Sequence, residues 1–121
     1  MALTADQYKA KFDNAQSKAN SNLPNAFDKS VAWSQIGGVW SYLWIEQRRI
    51  EKQKAANPSF QVSTIATGYQ TAAENALNSG EARINTVLGQ NPAVAAAYSG
   101  IASNAAFAYA ETVRVDNMVV T

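Results

Sequence analysis

An all-α fold is what the 121-residue sequence predicts: a helical bundle of one short and three longer helices with an extended C-terminal tail. Three observations predict it. Apolar residues recur at helical spacing through most of the chain. A capping box and asparagine–proline pairs fall where helices would begin. Clusters of β-branched residues are confined to two short stretches, residues 62–67 and the segment after Glu111.

The bundle is organised around residues 26–54, which carry all three tryptophans, an adjacent glycine pair and the densest basic cluster. On a helical wheel Trp33, Ile36, Trp40, Leu43 and Trp44 fall on one face. Tyr42 and Ile45 point elsewhere, so this helix is apolar on more than one side. Such a helix is either central in a bundle or in contact with another subunit.

The first helix begins with Thr4 as N-cap and Gln7 closing a capping box, while Leu3 and Tyr8 are placed for a hydrophobic staple. Tyr8, Phe12, Ala15, Ala19 and Leu23 form its apolar stripe, and Pro24 ends it near Asn22. The second helix takes Asn25 as N-cap and Asp28 at N3, where a carboxylate meets the positive end of the dipole. It runs toward Ala56. Gly37 and Gly38, in its middle, mark either a kink or a close helix crossing. The apolar stripe keeps its phase across them, which favours the crossing.

Asn57-Pro58 reads as N-cap and N1 of the third helix, with a short strand over 62–67 as the alternative to its first turns. Asn78-Ser79-Gly80 ends or softens it, and Ile84, Val87 and Leu88 resume helical spacing. Asn91-Pro92 repeats the start signal for a fourth helix, mostly alanine, to about Thr112. The bundle is thus expected over 1–112 and the extended tail over 113–121. The prolines at 24, 58 and 92 are evenly spaced, and Trp33, Ile36, Gly37 and Trp40 resemble the opening of a tetratricopeptide repeat. Arg49 and Gln53 then break the pattern, so the spacing reflects helices of similar length and not a solenoid.

Composition narrows the function. Only 16% of residues are charged and the net charge is +1, while alanine, asparagine and glutamine make up about a third of the chain. Weak charge leaves little repulsion between copies and leans toward assembly. The absence of cysteine and histidine removes thiol chemistry, the commonest general base and the commonest metal ligand. No cofactor and no enzymatic activity are expected. Met-Ala-Leu-Thr-Ala-Asp has neither a basic nor an apolar leader region, so no secretory signal is expected. Residues 84–110 carry no charge, but Asn85, Gln90, Asn91, Pro92, Ser99, Ser103 and Asn104 interrupt them, and a membrane partner is not expected.

Two sets of residues are candidates for contact. Arg48, Arg49, Lys52 and Lys54 can form a phosphate-binding stripe, although Glu46 with Arg49 and Glu51 with Lys54 also suit a solvated helix end. For self-association the candidates are Tyr42 and Ile45 on the second helix, and Val113, Val115, Met118, Val119 and Val120 in the tail. The carboxylates are scattered, with no tight pair. Low charge, abundant small and amide residues, no cysteine or histidine, no export signal and an apolar tail together resemble small virion structural proteins of bacterial or archaeal viruses. That resemblance implies a non-catalytic subunit in a virion or host cytoplasm, with further copies or other structural subunits as partners. A nucleic-acid-binding helical module and a helical adaptor or secretion-system subunit are the alternatives.

Overall fold

The computed structural model describes residues 2–85 and 91–119. They form four helices, α1 (Ala5–Asn22), α2 (Phe27–Ala56), α3 (Thr64–Asn85) and α4 (Pro92–Asp116), and no strand is present among the described residues.

The capping box that starts α1 is complete. Gln7 N–H donates to the Thr4 hydroxyl at 3.3 Å, and Thr4 N–H donates to Gln7 Oε1 at 2.9 Å. α2 starts one residue later than the expected Asn25 cap allows. Ala26 occupies the N-cap with no side-chain bond, and Asp28 sits in the first turn. Ser30 helps hold this end by donating its hydroxyl to the Ala19 carbonyl at 2.7 Å. The helix continues unbroken through the glycine pair, whose members differ. A Cβ on Gly37 would meet Ala15 Cβ at 3.2 Å, whereas one on Gly38 would meet nothing within 4 Å. The close crossing is therefore with α1, at Gly37.

The structure corrects the expected start of α3. Asn57 and Pro58 do not open the helix; Asn57 Oδ1 accepts from Ser59 N–H (3.0 Å) and its carbonyl from Phe60 N–H (2.9 Å). The asparagine's acceptors are thus used in a turn, and residues 57–63 form a connection. Ser63 takes over as the start signal, its hydroxyl accepting from Ala66 N–H at 3.2 Å. Nor does Asn78-Ser79-Gly80 stop the helix. Gly80 is buried, and a Cβ there would lie 3.2 Å from both Ile36 Cδ1 and Tyr98 Cβ and 3.3 Å from the Ala95 carbonyl oxygen. This glycine admits α4 and α2 to close range. The expected resumption at Val87 and Leu88 lies outside the described residues.

At α4, Asn91 Oδ1 accepts from Val94 N–H (3.2 Å) with Pro92 in the first turn, as the sequence predicts. The other end differs. Residues 113–116 are helical and not part of an extended tail, so the described bundle reaches Asp116. Val113 is 4% exposed and belongs to the core of its own bundle. β-branched residues cost a helix only a few tenths of a kcal/mol, less than burying one against neighbouring helices returns.

Side-chain pairings fix the topology. Phe12 faces Trp44 and Ala15 faces Gly37, so α1 and α2 are antiparallel. Tyr8 pairs with Glu74 and Lys11 with Glu81, so α1 and α3 run the same way. Gly80 lies opposite Ala95 and Ser63 opposite Asp116, so α3 and α4 form an antiparallel hairpin. α2 touches all three other helices, whereas the α1 and α3 backbones make no close approach among the described residues. Trp33, Ile36, Trp40 and Leu43 are buried as expected, with Tyr8, Leu77 and Tyr109. Trp44 is half-buried and stacks on Phe12 with ring centroids 6.0 Å apart. No helix among the described residues is long and apolar enough to cross a membrane.

Candidate interaction surface

The outward side of α2 repeats at helical spacing in Phe27, Val31, Gly38, Tyr42 and Ile45. All five are exposed, Phe27 by 65%, Ile45 by 44% and Tyr42 by 37%. Along the neighbouring face of α4 the stripe is Ala93, Ala96, Gly100, Ser103 and Phe107. Between the two helices runs an open groove of about 790 Å³, to which α2 lends Gln35, Gly38, Val39 and Tyr42 and α4 lends Ala93, Ala96, Gly100 and Ser103. None of its lining residues is charged. Glycine and alanine make the floor, and larger apolar side chains project beside it.

Of the other candidates for self-association, Val115 is exposed on the last turn of α4, and Met118 and Val119 are exposed beyond it. Val113 is removed from the set by its burial, and Val120 lies outside the described residues. The end of α4 is also fixed to its own chain. Asn117 Oδ1 accepts from Gln61 N–H (2.8 Å) while Asn117 Nδ2 donates to the Gln61 and Val113 carbonyls (2.7 Å each), and Asp116 accepts from Ser63 N–H at 3.0 Å. These bonds clasp the 57–63 connection.

The basic cluster divides between two faces. Arg48 and Lys52 line a shallow groove with Lys9, Trp44, Asp6 and Glu51 at the α1–α2 side. Arg49 lies on the opposite flank of α2, in a cleft with Arg114, and pairs with Glu46 at 3.0 Å. Lys54 lines neither. The four cations do not share one surface.

Between the hairpins lies a polar cluster that no local sequence signal announces. Tyr8 donates its hydroxyl to the buried Glu74 carboxylate, which also accepts Leu3 N–H at 3.0 Å. Gln70 Nε2 donates to the Tyr8 hydroxyl oxygen (2.8 Å) and to Gln47 Oε1 (3.3 Å), and Tyr109 donates to that same oxygen. All four helices contribute, and no buried side-chain polar atom among the described residues lacks a partner. Burial, then the Glu74 carboxylate, pushes the Tyr8 phenol far above its ordinary 10.0. Burial, then the carboxylates of Glu74, Glu51 and Glu46, does the same to Tyr109. Each phenol is therefore held as a neutral donor. Trp40 Nε1 donates to Glu81 at 2.7 Å nearby. No group of three potential metal ligands is gathered among the described residues.

Comparison with known protein families, curated proteins and solved structures finds no match for this chain. What the sequence reading missed was the α4 half of the groove. The signal available for it was the run of small residues at spacings of three and four from Ala93 to Ser103.

Proposed function

We propose that this chain is a non-catalytic assembly subunit that associates with further copies of itself through the α2–α4 face. A virion component is the setting its composition resembles. The observation that carries the reading is the uncharged groove between α2 and α4, flanked by the exposed Phe27, Val31, Tyr42 and Ile45. A floor of glycine and alanine lets another helix approach closely, and neighbouring aromatic and aliphatic side chains supply the projections to fill such a floor. A patch holding both holes and knobs is suited to self-complementary pairing, in which one copy's projection enters the other's recess. Exposed apolar stretches of this kind commonly mark interaction sites.

Sedimentation and light scattering of the purified chain, with electron microscopy of any large species, test the proposal. The wild type is expected to form oligomers or larger assemblies. Tyr42→Glu and Gly100→Leu should each shift it toward monomer while the helical circular dichroism is unchanged. A wild type that stays monomeric up to about millimolar concentration, the weakest range for specific binding, would overturn it.

A further inference from the structure

The cleft that separates Arg49 from the rest of the basic cluster has its own chemistry. It lies where the ends of α2 and α4 meet the 57–63 connection and holds about 360 Å³. That is the small end of the range of roughly 300–1,000 Å³ for sites that take small molecules. Its floor is hydrocarbon, with Ile50, Val113 and Ala110 buried, Phe60 half-buried, and Met118 at the edge with 64% of its surface exposed. Over this floor stand two guanidinium groups, Arg49 from α2 and Arg114 from α4.

Both arginines are paired with a glutamate three residues earlier on their own helices. Arg49 Nη1 meets Glu46 at 3.0 Å, and Arg114 Nη2 meets Glu111 at 3.3 Å. A guanidinium carries five N–H groups in a planar fork, so each described pair uses only part of the donor set. Two arginines and one carboxylate, Glu46, are among the lining residues, and Glu111 pairs with Arg114 beside them. Aliphatic floor, modest volume and paired forks together suit a chain with an anionic head. A long-chain lipid exceeds the volume, and a neutral chain leaves the forks unused.

We propose that this cleft binds a medium-chain aliphatic carboxylate, the alkyl chain lying on Ile50, Val113 and Met118 and the carboxylate between Arg49 and Arg114. The α2–α4 groove has a different lining, and the two sites stand or fall separately.

Three probes of one chain length separate the contributions: octanoate, 1-octanol and octyltrimethylammonium, titrated by calorimetry into the full chain. Octanoate is expected to bind most tightly, the alcohol about tenfold or more weaker, and the cation weakest, since only the carboxylate takes charge-assisted bonds from the guanidinium groups. The Met118 methyl resonance should move with octanoate. Arg114→Gln should weaken octanoate about tenfold and leave the alcohol unchanged; its side chain is 64% exposed and its partner Glu111 is 42% exposed, so the fold survives the change. Arg49→Gln should act likewise, with a melting curve to check that Glu46 tolerates the loss of its ion pair. Equal affinity for acid and alcohol, no octanoate binding to about 1 mM, an unmoved Met118 signal, or full octanoate affinity in the folded Arg114→Gln variant would each overturn the proposal.

Discussion

At the scale of single residues, the paired glycines of α2 show how position decides what a side chain would do. At Gly38 a methyl group meets open space, so Gly38→Ala should stabilise the monomer by about 0.5–1 kcal/mol through helix propensity. One residue earlier, Ala15 Cβ stands 3.2 Å from the new atom. Gly37→Ala should gain no such increment, and Gly37→Leu should lose about 1–3 kcal/mol by overpacking the crossing. Urea unfolding of the three variants checks the contrast. A gain at Gly37→Ala equal to that at Gly38→Ala would show that α1 is not held close there.

Tyr8 and Tyr109 give the second test at this scale. Each phenol titrates higher in the folded chain than its ordinary 10.0. Below that value both folded and unfolded chains keep these protons, and the contribution to stability is fully present. As the pH rises above it, the unfolded chain releases protons that the folded chain retains, and stability falls. Unfolding midpoints should therefore decline at alkaline pH. The decline should be shallower in a Tyr8→Phe, Tyr109→Phe variant. That variant also leaves Glu74 and Gln47 short of donors, so at neutral pH Tyr8→Phe alone should cost about 1–3 kcal/mol.

At the scale of the element, α4 and its clasp determine what the chain end does. Val113 fills the core, and Asp116 and Asn117 hold the connection that leads into α3. Truncation after Thr112 is therefore expected to lower the melting temperature of the monomer itself. Asn117→Ala should lower stability by about 1–2 kcal/mol through the lost bonds, with no change in association. Retention of the full melting temperature by the truncated chain would show that the clasp contributes nothing.

The same elements show what a sequence can disclose. The Thr4–Gln7 box and the Asn91-Pro92 start are local arrangements, complete within four residues, and they were legible. Asn57-Pro58 carries the same signal, but a turn used the asparagine's acceptors first, and only the folded chain reveals that competition. The valines after Glu111 resemble strand because propensity is local, whereas the packing that keeps Val113 helical comes from other helices. Tyr42 and Ile45 were visible as outliers on the α2 wheel. Their groove was not, because half of it belongs to a helix about sixty residues away. The Arg49–Arg114 cleft was hidden for the same reason.

At the scale of the whole molecule, α1 and α3 meet through long side chains and not through close-set backbones. A bundle so rich in alanine offers helices many shallow ways to slide past one another. Sliding α1 by one turn moves Tyr8 about 5.4 Å, which takes the Tyr8 and Leu3 donors from the buried Glu74 carboxylate and one of two acceptors from the Gln70 amide. The oxygen and nitrogen atoms of that cluster therefore act as an alignment key, penalising every register but one. The consequence is that stability and uniqueness can be separated. A chain carrying Tyr8→Phe, Gln47→Leu, Gln70→Leu, Glu74→Leu and Tyr109→Phe together should melt at the same or a higher temperature, since hydrocarbon replaces a cluster that is costly to bury. Its amide NMR spectrum should nevertheless broaden and lose dispersion, as several helix alignments of similar energy come to share the population.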